Sequence, residues 1–139
     1  MSVDSAGMAA RLGIKPGMVV QELGWDEDAD EDLRDAIIDL SGGEMVDEDT
    51  DEVADVVLLW WREDDGDLFD ALTDTLTSLA DDGVVWLLVP KSGRPGHVEP
   101  GDVTEAAPTA GLSQTSSISA AKDWSGIRLV TPKAARTRR

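Results

Sequence analysis

Cysteine and tyrosine are absent from this 139-residue chain, and phenylalanine and histidine occur once each. The lack of cysteine excludes disulfides and thiolate metal sites. It fits a cytoplasmic protein, the location we expect. No apolar run approaches the roughly 18 residues a bilayer-spanning helix needs. The opening "MSVDSAGMAARLGIKPG" lacks the basic-then-apolar layout of a leader. A protein that stays where it is made and off the membrane is therefore expected. Bases are scarce too, with 12 Lys and Arg against 29 Asp and Glu, a formal net charge of −17.

The charge is polarised. Between Asp26 and Asp82 stand 23 acidic residues and only two bases, Arg34 and Arg62. From Lys91 onward eight bases outnumber Glu99, Asp102, Glu105 and Asp123. An acidic surface repels nucleic acid and anionic lipid, so neither is expected as a partner. It suits a basic protein partner, or serves solubility alone. Salt adaptation or a GC-rich genome would leave a similar composition. The sequence does not fix an oligomeric state.

What is present reads as one α/β domain. At 41% hydrophobic residues the chain can bury a single core. Residues 1–10 show no periodicity and are expected to be loose, 11–132 to form the domain, and the basic stretch 133–139 to be a frayed tail. "AARLGI" is read as a short helix and "MVVQEL" (18–23) as the first strand. Leu33, Ala36, Ile37 and Leu40 recur at helical spacing, with acids at the helix start and Gly42 at its end. "EMVD" (44–47) is expected as a second strand, "DVVLLWW" (55–61) as a third and "VVWLLVP" (84–90) as a fourth. An amphipathic helix is expected from Asp67 to Ala80. A further helix is expected over 103–110, capped by Asp102 with Glu105. "TSSISAA" and "GIRLVTP" alternate and predict an antiparallel hairpin with Trp124 in its turn, partly exposed. Strands alternating with helices imply a mostly parallel, doubly wound sheet of about six strands with helices on both faces.

This order of elements resembles the class I methyltransferase fold in miniature. "KPGMVVQELG" stands where that family has its first strand and glycine loop, and "ADVVLLWW" where it has its fourth strand. "LTSLADDGVVWLLVPK" is similar to the family's helix, turn and fifth strand, and "GLSQTSSISAAKDWSGIRLVTPK" to its terminal hairpin. Through "LGIKPGM", "DVVLLW", "DGVVWLLVPK" and "DWSGIRLV" the chain also resembles a family of small actinobacterial proteins of unknown function. The resemblance implies a Rossmann-like sheet ordered 2-1-3-4-6-5 in the strand count above, and no established activity.

A dinucleotide-type loop needs several glycines for its tight turn and close backbone approach. Here only Gly24 remains, followed by Trp25, Asp26, Glu27 and Asp28. The acids would repel an anion seeking the helix N-terminus. S-adenosylmethionine also carries a sulfonium cation, so acid alone does not exclude it. The residues that would line such a cofactor crevice are Gly24, Trp25, Asp47 and Trp61. Asp47 would hold ribose hydroxyls, and Trp61 would offer a stacking wall. Trp60 and Trp61 are neighbours on a strand and must face opposite ways. The ordinary role of such tryptophans, and of Trp86, is to pack helices on the sheet. Lys91 and Arg94 leave the carboxyl end of a central strand in a Gly/Pro loop. They are a candidate anion site, or partners for nearby acids. His97 has no second histidine or cysteine near it, and "DEDTDE" (47–52) lacks the spaced ligands of a calcium loop, so no metal site is expected. The expectation is a non-catalytic regulatory or adaptor protein with a basic protein partner and no cofactor. The alternative is a small-ligand binder, for S-adenosylmethionine or a nucleotide, or a methyltransferase-like enzyme.

Overall fold

The structure is a computed structural model and describes residues 5–131. Its elements are α1 (Ser5–Arg11), β1 (Val20–Leu23), α2 (Glu31–Ser41), β2 (Ala54–Trp60), α3 (Leu68–Thr75), β3 (Leu79–Pro90), α4 (Pro100–Thr109), β4 (Ser113–Ser119) and β5 (Trp124–Val130). One sheet runs β1-β2-β3-β5-β4. β1, β2 and β3 are parallel, and β5 is antiparallel to both β3 and β4.

The α/β class, the parallel core and the closing hairpin follow the sequence reading. The strand count needs correcting from six to five. The expected second strand survives only as one bridge, Gln21 to Val46. With that strand removed, the order 2-1-3-4-6-5 becomes the observed one. Its residues are short and half polar, and the acidic segment after them offers no apolar face to bury.

The apolar runs dictate the layering. Successive residues of β2 and β3 point to opposite faces. Val56, Leu58, Trp60, Trp86 and Leu88 join α1 and α2 in one core. Val57, Leu59, Trp61, Val85, Leu87 and Val89 join α3 and α4 in the other. Each such side chain contributes about 1.5–3 kcal/mol when fully buried. Trp60 and Trp61 do face opposite ways.

Local chemistry sets the ends. Asp30 caps α2 by accepting from the Leu33 N–H at 2.8 Å. Gly42 ends the helix in the left-handed region, φ 89°, its N–H donating to Ile38 O.

Four further expectations are corrected. Residues 1–10 are not uniformly loose, because α1 starts at Ser5 and buries Met8 and Ala9. Trp86 Nε1 donates to Leu12 O at 2.8 Å, tying the end of that helix segment to the sheet. The third helix ends at Thr75, and Leu79 and Ala80 enter β3. Leu79 pairs with Ala54 before an irregularity carries the register to Val84 opposite Val56. Helix α4 starts at Pro100, whose missing N–H suits a first turn, so Asp102 lies inside the helix rather than capping it. Trp124 is 3% exposed at the start of β5, not in an open turn. The tail 133–139 and residues 1–4 lie outside the described residues. Among the described residues no helix is long and apolar enough to cross a membrane.

Candidate functional site

The chain leaves β1 for α2 on one face of the sheet and leaves β2 for α3 on the other. The carboxyl ends of these two parallel strands therefore border the crevice where such folds place ligands. Here the strand ends meet closely. Gly24 has φ +75°, and a Cβ on it would stand 2.3 Å from the Trp60 carbonyl oxygen. Only glycine fits on both counts.

Arg62, two residues past Trp60, occupies the α2 side of this crevice, while a groove of about 470 Å³ lined by Gly24, Gln21, Leu23, Glu48 and Leu59 stays open on the α3 side. Its Nη1 donates to Gly24 O at 2.6 Å and to Trp60 O at 3.2 Å, bridging the two strand ends. Nε donates to Asp28 Oδ2 at 3.1 Å, and Nη2 pairs with Asp28 Oδ1. Asp65 accepts from the Arg62 backbone N–H at 3.0 Å and approaches Nη1 at 3.4 Å. The guanidinium carbon lies 5.2 Å from the Trp124 ring centroid, a cation–π distance. The stem packs where a Cβ on Gly96 would crowd it, 3.1 Å from Arg62 Cβ. The Arg62 side chain is only 12% exposed. Hydrogen bonds from Arg62 hold the Asp28 carboxyl below its ordinary pKa, against a smaller effect of burial. Burial opposes the charge on Arg62, yet Asp28 and Asp65 together raise its pKa.

A second arginine flanks the same strand end. Arg34 grips Glu22 through Nε at 2.5 Å and Nη2 at 2.7 Å, a bidentate pair. Glu22 also accepts from Trp60 Nε1 at 2.9 Å. Arg34 Nη1 reaches Glu31 at 2.8 Å, and Trp25 Nε1 reaches the same carboxylate at 3.2 Å. Those bonds from Trp25 and Arg34 lower the Glu31 pKa. Trp60 meets Trp124 edge to face, centroids 4.9 Å apart, and Trp124 Nε1 donates to Asp28 O at 3.1 Å.

The residues singled out in the sequence do not gather at one place. Gly24 is at the crevice. Trp25 is 49% exposed and lies against Arg34, outside the crevice. Asp47 is exposed, its carboxylate accepting from the Asp49 N–H at 3.0 Å and its carbonyl from Gln21 Nε2 at 3.0 Å. Trp61 lines a groove of about 530 Å³ on the α3/α4 side with Phe69 and Asp102. Arg94 pairs with Asp123 at 2.8 Å, and the Lys91 N–H donates to Asp123 O at 2.9 Å. His97 is half-buried, with Nδ1 3.0 Å from Pro90 O; a carbonyl only accepts, so Nδ1 carries the proton. Among the described residues no group of three or more His, Asp or Glu is arranged to hold a metal.

The sequence reading missed Glu22, Arg34 and Arg62. The signal was available: the only two bases in a stretch with 23 acids had to find carboxylate partners.

A family profile described as "Protein of unknown function (DUF3052)" matches residues 9–133. An uncharacterized protein of Mycobacterium tuberculosis is 57% identical over 129 residues, 93% of this chain and 81% of that relative. One of Mycobacterium bovis matches to the same extent. Among solved structures, a SAM-dependent methyltransferase from Aquifex aeolicus is similar at TM-score 0.61 and 13% identity, covering 91% of this chain and 88% of that one. A TehB-like SAM-dependent methyltransferase from Corynebacterium glutamicum gives 0.57 and 14%, covering 94% and 89%. At such identities the likeness carries the fold alone.

Proposed function

We propose, for a chain that belongs to the DUF3052 family of proteins of unknown function, a non-catalytic recognition role. On this reading Arg62 closes the α2 side of the methyltransferase-like crevice, and an acidic surface engages a basic protein partner. The observation that supports it is the Arg62 side chain, with Nη1 joined to both Gly24 O and Trp60 O.

S-adenosylmethionine, for which the fold neighbours are named, does not fit the residues present. One glycine of the loop remains, acids follow it, and the space between the strand ends holds a guanidinium with four acceptor groups around it. A ligand entering there would have to strip Arg62 of its bonds to the two carbonyls, about 1–1.5 kcal/mol each, and of its partly exposed pair with Asp28, at most about 1 kcal/mol. The alternative, a small-ligand protein using Gly24 and Trp61, draws on the fold likeness. It must join Gly24 and Trp61, which line two separate grooves on the α3 side of the sheet.

Isothermal titration with S-adenosylmethionine and its demethylated product tests the closed crevice. No saturable heat is expected. Binding tighter than about 0.1 mM, about −5.5 kcal/mol, that Trp61→Ala abolishes would install the alternative. Affinity capture from the source cells at low and high salt tests the partner. Basic proteins should be retained at low salt and released at high salt; the absence of any salt-sensitive partner overturns this half of the reading.

A further inference from the structure

The two edges of the sheet differ. At the β1 edge, the Val46 N–H donates to Val20 O at 2.9 Å, and Val46 O accepts from the Glu22 N–H at 2.8 Å. At the other edge lies β4, seven residues paired with β5 alone. Natural edge strands are guarded by charge, proline, shortness or a bulge. β4 carries only the last, an irregularity between Gln114 and Ser116 that leaves Ser116–Ser119 in regular register with β5. No charged residue occurs from Ala106 to Ala121, in a chain of formal net charge −17.

The hydrogen bonds fix which groups of β4 point outward. The Lys91 N–H donates to Asp123 O at 2.9 Å, and the Ala120 N–H donates to Trp124 O at 3.0 Å. Asp123 therefore turns toward β3 and Trp124 toward β4. Antiparallel ladders alternate, so Ile118 and Ala120 turn their backbone groups to β5, while Ser117 and Ser119 turn theirs away from the sheet. Among the described residues nothing pairs with the N–H and C=O groups of those two serines.

We infer that β4 pairs antiparallel with β4 of a second copy of this chain, about a two-fold axis at Ile118. The two five-stranded sheets then join into one. In this register Ser117 exchanges both its backbone bonds with Ser119 of the second copy, and Ser119 does the same with Ser117 of the second copy. Ile118, the one large apolar side chain of β4, meets its own counterpart across the axis. It is half-buried and packs on the core of α1 and α2, so the contact extends that core. Two features favour a second copy over a foreign strand. The outward groups are complementary to themselves about Ile118, and two strongly acidic chains can approach here because no carboxylate stands on the strand. The pairing does not rest on the recognition role proposed above, and salt separates the two. Screening strengthens contact between copies of like charge and weakens contact with a basic partner.

The test uses the full chain. Sedimentation equilibrium up to about 1 mM should show the mass rising from one chain toward two, more steeply at high salt. Ser117→Pro removes an outward N–H and leaves the β5 ladder intact, so it should stay monomeric. The chain has no cysteine, so Ile118→Cys introduces a single thiol. Facing residues of a non-hydrogen-bonded pair lie about 4.5 Å apart at Cα, within the span of a disulfide. Oxidised glutathione should therefore link Ile118→Cys into a covalent dimer. Ser116→Cys, on the same strand, stands about 13 Å out of register with its counterpart and should stay unlinked. A chain that remains monomeric at every salt concentration, a mass rise that Ser117→Pro leaves unchanged, or Ser116→Cys linking as readily as Ile118→Cys would overturn the inference.

Discussion

Arg62→Ala measures what pins the two strand ends together. The substitution removes guanidinium bonds to Gly24 O at 2.6 Å and Trp60 O at 3.2 Å, the Asp28 pair, and the contact over Trp124. The two carbonyl bonds contribute about 1–1.5 kcal/mol each, because water replaces part of what is lost. Asp28 is 56% exposed, so its pair adds at most about 1 kcal/mol. The ring contact adds about 0.5–1 kcal/mol. These terms overlap, and truncation also relieves the desolvation of a buried charge. The net loss expected is about 2–3 kcal/mol. For a domain of this size that lowers Tm by about 6–15 °C. Urea unfolding followed by tryptophan fluorescence reads it directly. Arg62→Lys keeps the charge but not the fork, and should recover less than half of the loss. An Arg62→Ala protein within about 0.5 kcal/mol of the parent, the ordinary range for surface changes, would refute the idea that Arg62 pins the strand ends.

Two further outcomes follow from the same geometry. Gly24→Ala meets left-handed backbone and a carbonyl oxygen at 2.3 Å, whereas Gly42→Ala meets left-handed backbone and open space. The first should cost about 2–4 kcal/mol and the second about 1 kcal/mol in chemical denaturation; equal losses would show that the close approach at Trp60 carries no weight. The Asp28 pKa is depressed in the folded protein, so the stability it contributes is complete above its unfolded value of about 3.9 and is lost as pH falls through the folded one. The stability gap between the parent and Asp28→Asn should therefore hold between about pH 7 and 5 and shrink below about pH 4. A gap that widens on acidification contradicts the assignment.

The fold was legible where side-chain pattern alone decides it. "DVVLLW" and "VVWLLVP" are apolar without interruption, so they had to be central strands with helices on both sides. The hairpin showed in the alternation of "GIRLV". Legibility failed where a tertiary partner overrides local preference. Ser5–Arg11 has little periodicity, yet Met8 and Ala9 find a core place beside Leu33 and Ile37. "EMVD" is too short and half polar to extend a strand; Met45 packs on the core of α1 and α2, but only Val46 bridges to β1. Trp124 follows a Lys-Asp turn and looks exposed, but Trp60 and Asp28 O, 64 and 96 positions away in sequence, draw it inside. The candidate site was the least legible part. The scarcity of glycine argued against a cofactor loop, but no local rule says what occupies the strand ends instead.

What occupies the strand ends follows from charge. A loop that begins Trp-Asp-Glu-Asp beside two converging strand ends puts carboxylate next to backbone carbonyls, and both are acceptors. Such a place is stable only if a strong multiple donor enters it, and lysine, with a point charge on a flexible stem, would satisfy fewer of them at once. Arginine has five N–H groups in a fixed plane. Both arginines of the acidic stretch stand at this strand end, Arg62 on Gly24 O and Asp28, Arg34 on Glu22 and Glu31. Each also lies over a tryptophan, Trp124 and Trp25 respectively. Glu22 and the edge contact of Trp60 with Trp124 connect the two clusters into one network. The acids after Gly24 and the arginine after Trp61 therefore form one unit. A chain that kept the arginine but carried glycines at positions 26–28 would leave a guanidinium without its carboxylate. The acids and the arginine are therefore coupled, and either half changed alone should destabilise the domain.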